Sequence, residues 1–537
     1  SKKTMNKKRP VMIDLQAINT IPDLMDAAAD TYGSRSAVED ENVILSFIEL
    51  NELRLKAAAS LLSMGVESGD RVAIWAPNIY EWIVAATALQ TVGAALVPLN
   101  TRMKGSEAGY VLRASGAKFL FCIDQFLNSR YPAMLQNEDL PELEAIVTFR
   151  GQGAENCISW DDFLQKSGDV GLEDVQVRQR QVSPETVSDL LFTSGTTGKP
   201  KGVMTCHGQN LRIVEDYSAI LGLQDGDRYL IVNPFFHSFG YKAGWMAALM
   251  RGCTILPLQV FDVPTILQRV SDEKVTVLPG PPTLYQSILA HPELNRFDIT
   301  SLRVAVTGAA AIPVSMIHQM RDELGFDTII TAYGLTEVCG FATICRSGDD
   351  PELIANTSGR AMPGIEVRCA DSEGNEVAAG TPGEVVIRGY NLMPGYFNNP
   401  EATAETIDED GWLHTGDIGV MDKQGYLRIT DRIKDMFITG GFNVYPAEIE
   451  NLMSNHQAIA RVAVVGVPDE RMGEVAMAYI IPVSGQSLTK EDVVTWCRNE
   501  MANYKVPRHV AIVDNLPTNA SGKVLKFELR EKAKNLV

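Results

Sequence analysis

From Ile21 onward, segments of helical period alternate with short runs rich in β-branched and aromatic residues. The runs include Arg71–Trp75, Ala95–Pro98, Lys118–Phe121, Tyr229–Val232, Val275–Leu278 and Val304–Val306. This alternation predicts βα units and parallel sheets. The most apolar stretch, Trp82 to Leu99, is interrupted by Gln90, Thr91 and Gly93, and reads as a buried helix leading into a strand. A membrane span would need about 20 largely uninterrupted apolar residues. Between Gly359 and Tyr390 the texture changes to Gly-Asn and Gly-Thr-Pro-Gly turns around short strands such as Glu384–Ile387, which predicts an antiparallel or barrel-like piece. After Asp431 come helices near 446–454 and 490–501 and strands near 463–466 and 475–481, enough for a small α+β domain.

Composition narrows the classes. The 537 residues are 45% hydrophobic and 21% charged, an ordinary globular balance, with a net charge of −19. A nucleic-acid binder would carry a basic surface, so that class is disfavoured, and a polyanionic ligand needs a locally positive site. The eight cysteines are scattered without a Cys-x-x-Cys pair, which fits a reducing cytosol and no zinc knuckle. Lys2, Lys3, Lys7, Lys8 and Arg9 are followed by no apolar segment, so no secretory signal is expected.

The chemistry concentrates after a short apolar strand, Leu190-Leu191-Phe192. There Thr193, Ser194, Gly195, Thr196, Thr197, Gly198, Lys199, Pro200, Lys201 and Gly202 combine tight-turning glycines with hydroxyl and ammonium donors. Successive N–H groups in such a turn form an anion-binding concavity, so the loop suits phosphate. It is not a Walker A element, which needs Gly-Lys-Ser/Thr four residues after its first glycine. Pro200 also argues against a helix starting directly on the loop. A polar surface linker is the plain alternative.

This loop resembles the phosphate-loop motif of the adenylate-forming superfamily of acyl- and aryl-CoA ligases, luciferases and peptide-synthetase adenylation domains. Further matches follow in the family's order. Tyr333-Gly334-Leu335-Thr336-Glu337 is similar to the adenine and magnesium motif, and Gly411 to Asp417 to the ribose motif. Asp431-Arg432-Ile433-Lys434-Asp435 resembles the hinge, and Gly440 to Glu450 the loop after it. Pro517 to Lys523 resembles the C-terminal lysine motif. The resemblance implies a large N-terminal α/β domain of βα-layered sheets over residues 1–433, with a barrel-like part at about 358–430. It also implies a small mobile α+β lid over 434–537, hinged at Lys434.

It further implies roles. Thr193 to Gly198, Lys199 and Lys201 would hold ATP phosphates, with Thr336 donating nearby and Glu337 holding Mg²⁺, a hard cation suited to carboxylate and phosphate oxygens. Tyr333, Gly334, Ala309, Ala310 and Arg432 would contact the nucleotide, and Asp417 its ribose hydroxyls, a common carboxylate device. An Asx turn is the local alternative for Asp417, and core packing the alternative for Gly308 to Ala311. His237, Phe239, Tyr241, Trp245 and Gly308 would line the acyl pocket. Lys523 would bridge the substrate carboxylate and the α-phosphate as a compact cation. Gly440 and Gly441 would leave a channel for CoA, although this chain has Gly440 and Ile438 where some plant relatives carry lysines.

The implied activity is AMP-forming ligation of a carboxylic acid to CoA in the cytoplasm, with ATP and Mg²⁺ and no integral membrane association. A homodimer is compatible with the composition. The segments His237 to Gly244 and Cys345 to Pro351 resemble bacterial ligases of steroid-ring degradation, which act on an indane-dione propanoate. Medium-chain fatty or aryl acids are alternative substrates. A carrier-protein-loading module would usually show an Asp near His237, which is absent. A silent nucleotide sensor would lack Lys523 or Glu337, and both are present.

Overall fold

The computed structural model describes residues 11–193, 199–308, 312–432, 435–440, 442–501, 503–518 and 522–537. Two large sheets dominate its N-terminal part. The first has eight strands in the order Gly395–Tyr396, Lys201–Cys206, Val187–Thr193, Ala95–Pro98, Arg71–Trp75, Phe119–Ile123, Ala145–Phe149 and Cys157–Ser159. From Val187–Thr193 to Cys157–Ser159 all neighbours run parallel, as the βα alternation predicts. At the other edge, Lys201–Cys206 folds back antiparallel on Val187–Thr193. Pro200 is therefore followed by a strand, not a helix.

The second sheet comes in two four-stranded pieces. One contains Val43–Ser46, Ser36–Asp40, Thr254–Pro257 and Arg228–Ile231; the other begins with Val304–Gly308 and Thr328–Tyr333. Val277 joins them by single parallel bridges to Tyr229 and Val304. The strand expected over Val275–Leu278 is thus reduced to one bridging residue. Pro279, Gly280, Pro281 and Pro282 follow immediately, and proline has no N–H to continue a ladder.

Helix Tyr80–Thr91 and strand Ala95–Pro98 occupy the apolar stretch, and every helical residue after Tyr80 is buried. Among the described residues no helix is long and apolar enough to cross a membrane. The region with antiparallel texture is a four-stranded meander, Ile365–Ala370, Gly383–Gly389, Leu413–Met421 and Leu427–Arg432.

The C-terminal sheet has the order Phe442–Val444, Phe437–Thr439, Gly473–Pro482, Ile459–Asp469, with His509–Ile512 parallel to Gly473–Pro482. Its strands alternate in a strict period of two. Ala476, Ala478 and Ile480 face a core with Ile449, Val493 and Cys497, while Val475, Met477 and Tyr479 face Leu529 and Ala533. Helices Pro446–Met453 and Lys490–Glu500 thereby cover one face and Lys526–Leu536 the other, since successive side chains leave a strand on opposite sides. These cores are separate from the large one, which runs from Ile13 to Leu427.

Trp82 sits in the large core with no exposed surface, its ring 5.7 Å from Phe235 and 6.3 Å from Trp245. Trp82→Ala should cost about 3–5 kcal/mol of stability through the cavity it leaves. Urea unfolding followed by circular dichroism will measure it, and a loss below about 1 kcal/mol would contradict the packing.

Candidate functional site

The candidate site is built from the described limbs of the 193–202 segment, the 333–340 turn, the 234–241 segment and Lys523, whose charge is felt by both Glu337 and His237. The described limbs of the loop are held by their stem. Thr193 pairs with Lys201, and the Tyr110 hydroxyl donates to the Pro200 carbonyl at 2.9 Å. The two loop lysines each rest over a tyrosine ring: Lys199 is 5.5 Å from the Tyr110 centroid and Lys201 4.9 Å from that of Tyr396. Ser194, Gly195, Thr196, Thr197 and Gly198 lie outside the described residues, as do Ala309, Ala310, Lys434 and Gly441 and the side chain of Arg432.

Strand Thr328–Tyr333 ends in a tight turn that delivers Thr336 and Glu337. Gly334 is required there, because a Cβ would lie 2.0 Å from the Gly340 carbonyl oxygen. Cys339 takes the left-handed φ of 62°, and Asn391 braces the turn by donating to the carbonyls of Val338 at 3.1 Å and Phe341 at 2.8 Å. Glu337 accepts from the Tyr396 hydroxyl at 3.2 Å. Burial raises its carboxyl pKa, opposed by the Tyr396 hydrogen bond and by the charges of Lys201 and Lys523.

Tyr333 and Asp417 come together directly: the Tyr333 hydroxyl donates to the Asp417 carboxylate. The turn before Asp417 is made by Thr415 and not by an Asx side chain, the Asp417 N–H donating to Thr415 Oγ1 at 3.1 Å. The backbone of Asp417 pairs with that of Arg432.

His237 caps the short helix Ser238–Gly240, its Nδ1 accepting from the Phe239 N–H at 3.3 Å. Its ring is open to solvent at the surface, while the protein packed around it disfavours the charged imidazole. That desolvation, with the nearby Lys523 charge, pushes the imidazole pKa down to about 4. Lys523 itself is exposed, just before helix Lys526–Leu536. Its charge is felt at both His237 and Glu337, so the C-terminal segment reaches the site.

The acyl-pocket candidates divide. Phe239 is half-buried and stands 5.7 Å, centroid to centroid, from Phe341, which packs on Tyr217 at 4.6 Å. Tyr241 and Trp245 have no exposed surface and pack on Trp82, ring centroids at 6.5 and 6.3 Å. Gly308 closes strand Val304–Gly308, where a Cβ would lie 2.6 Å from the Ala332 carbonyl oxygen, so sheet packing alone demands glycine. Gly440 has φ +54° and donates its N–H to the Met472 carbonyl at 2.8 Å.

Residues 25–397 match the family described as AMP-binding enzyme, and residues 448–523 match the AMP-binding enzyme C-terminal domain. The chain belongs to the AMP-binding enzyme family. A Rhodococcus jostii protein named as a 7a-methyl-1,5-dioxo-octahydro-1H-inden-4-yl propanoyl:CoA ligase is 47% identical over 520 residues, covering 96% of this chain and 99% of that one. A Mycobacterium tuberculosis protein of the same name is 46% identical over 514 residues, with the same coverages. The solved structure of an anthranilate CoA ligase with anthranoyl-AMP superposes with a TM-score of 0.88 at 27% identity, covering 97% of this chain and 98% of that one.

Within this AMP-binding enzyme several site residues carry no motif signal. Tyr396, Tyr110 and Asn391 act on the motif residues from a distance in sequence, so only the fold could reveal them. His414 has a hidden role in the ribose motif: its Nδ1 and Nε2 bond Glu384 at 2.6 Å and Asp408 at 2.9 Å, and Glu384 accepts from the Gly416 N–H at 3.1 Å. Partial burial lowers the His414 pKa, but the two carboxylates outweigh it and the net shift is upward.

Two pH predictions follow from these imidazoles. A raised folded pKa means the His414 contribution to stability is full below its ordinary value of 6.5 and is lost as pH rises through the folded value. The melting-temperature gap between wild type and His414→Gln should therefore narrow from pH 6 to pH 9; a constant gap would refute the ion-pair role. His237, held low, should titrate near pH 4 by NMR, and Lys523→Gln should move that midpoint upward but leave it below 6.5. An unmoved midpoint would mean that Lys523 does not approach His237 in solution.

Proposed function

We propose that this protein is an ATP-dependent carboxylic acid:CoA ligase of the cytoplasm. In the first step a substrate carboxylate oxygen attacks the α-phosphorus of ATP, and the bond to the β-phosphate oxygen breaks to release pyrophosphate. In the second, the CoA thiolate attacks the acyl carbonyl and AMP leaves with the bonding pair. The observation that carries this reading is the electrostatic reach of Lys523 to both Glu337 and His237. A cation between a carboxylate site and a phosphate site offsets the repulsion of the two anions and stabilises charge that develops between them.

The other residues take roles consistent with their surroundings. Lys199 and Lys201, steadied over tyrosine rings, face the phosphates. Glu337 suits Mg²⁺: among the described residues no cluster of three or more His, Cys, Asp or Glu could hold a metal, and Mg²⁺ is commonly bound by one or two carboxylates plus substrate phosphates. When bound, it would neutralise phosphate charge. The contact of Tyr333 with Asp417 sets the base-side ring beside the ribose carboxylate, as one nucleoside would require. His237, kept neutral at physiological pH, lines the acyl entrance without adding positive charge.

Residues 434–537 act as a lid that turns about Lys434 between the two steps, bringing Gly440 and Gly441 to the CoA channel. For substrate we propose a propanoate side chain on a bicyclic dione, the acid of the two relatives nearly half identical to this chain. The half-buried Phe239 against Phe341 supplies an apolar wall for such a ring system.

Pyrophosphate release should require an acid, yield a thioester only with CoA, and be fastest with the dione propanoate among steroid-derived, medium-chain and aryl acids. Lys523→Ala should cut the adenylation rate by about 10²–10³, the usual effect of losing one charge-stabilising donor. Release with no thioester on CoA, but transfer to a carrier protein, would replace CoA as acceptor. No release with any acid would sink the ligase reading.

A further inference from the structure

Across the hairpin of strands Val187–Thr193 and Lys201–Cys206 lies a polar cluster that the ligase chemistry does not use. Lys242 and Asp189 are both wholly buried, with Lys242 Nζ 3.4 Å from Asp189 Oδ1. Lys242 Nζ donates to Thr205 Oγ1 at 3.0 Å, and that hydroxyl donates to Asp189 Oδ1 at 2.6 Å. Asp189 Oδ2 accepts from the Tyr241 hydroxyl at 3.0 Å, from Ser188 Oγ at 2.8 Å and from Asn210 Nδ2 at 3.2 Å. Gln90 Nε2 donates to the Tyr241 hydroxyl at 2.9 Å.

The placement of these groups is unusual in three respects. Asp189 and Thr205 are direct partners across the hairpin, so the cluster grips both limbs that enter and leave the phosphate loop. Tyr241 and Lys242 begin four residues after His237, in a π-helical turn, Tyr241–Met246. Such turns are rare and recur at functional positions. Finally, a buried ion pair is weak evidence for stability, because apolar residues of similar volume often do as well; its best-attested use is to fix one arrangement among several.

We propose that Lys242 and Asp189 are a positioning pair that locks the stem of the phosphate loop to the His237 wall, so that nucleotide and acid bind as a coupled pair. Neither residue touches substrate. Each acts through the backbone it anchors: Asp189 through the strand running into Thr193, Lys242 through the turn that follows His237. The inference rests on the ligase reading, which assigns nucleotide to one side of the lock and acid to the other.

The test is steady-state pyrophosphate release by the full chain, varying ATP at several concentrations of its best acid. Wild type should show the KM for each substrate falling about 5- to 10-fold as the other saturates, within the usual range of coupling between sites. The double variant Lys242→Met with Asp189→Asn removes both charges at nearly unchanged side-chain volume. It should fold, keep kcat at joint saturation within about threefold, and lose the mutual dependence of the two KM values. Unchanged dependence in the folded double variant, or a fall in kcat alone, would overturn the proposal. So would wild type with no dependence. If the double variant does not fold, Tyr241→Phe, which removes one hydroxyl and with it the bonds to Asp189 and Gln90, must weaken the dependence; an unaltered dependence there overturns it equally. Active wild type with an intact dependence in the variants refutes only the lock, whereas inactive wild type refutes the ligase reading.

Discussion

A loop that offers its N–H groups to phosphate cannot use them to hold itself together, so its stiffness must come from the stem. Here the stem is the antiparallel pair Val187–Thr193 and Lys201–Cys206, at the edge of an otherwise parallel run. The limb that leaves the loop runs antiparallel because Pro200 denies the chain an immediate helix. Part of the site is positioned against this hairpin. Tyr110 bonds its outer limb, Tyr396 comes from the strand paired with Lys201–Cys206, and through Tyr396 the hairpin reaches Glu337.

Much of this was legible in the sequence, for a physical reason. Phosphate binding restricts residue types locally: glycines where the backbone turns, hydroxyls and ammonium groups where donors are needed. Such demands leave a contiguous trace, as in Thr193 to Gly202 and Tyr333 to Glu337. The strands and helices of the parallel sheet were equally legible, since burial on both faces writes short apolar runs. The C-terminal strands show the same logic in a period of two, with Val475, Met477 and Tyr479 on one core and Ala476, Ala478 and Ile480 on the other.

The sequence hides whatever depends on contact between remote segments. Tyr396 lies 59 residues from the Glu337 it bonds, and nothing in Gly395-Tyr396-Phe397 announces a partner. Tyr241 and Trp245 are aromatic, near His237, and at spacing compatible with a pocket, yet they are wholly buried against Trp82. Gly308 illustrates the converse. A glycine after a strand suggests room for a ligand, but the Ala332 carbonyl already occupies the space a side chain would need.

Charge explains why the site is assembled from so many pieces. With a net charge of −19 the molecule as a whole repels a nucleotide, so attraction must be local and short-ranged. Lys199 and Lys201 come from the hairpin and Lys523 from the C-terminal segment. Placing the last cation on a separate core makes the positive field conditional on that core being docked. On the proposed reading the two hairpin lysines would recruit the nucleotide, while the third charge, the one felt at both Glu337 and His237, would come and go with the C-terminal segment. A single rotation of that segment would then remove the cation that favours adenylation. It would do so without disturbing the hairpin, which would keep its hold on the product's phosphate while the thiol approaches.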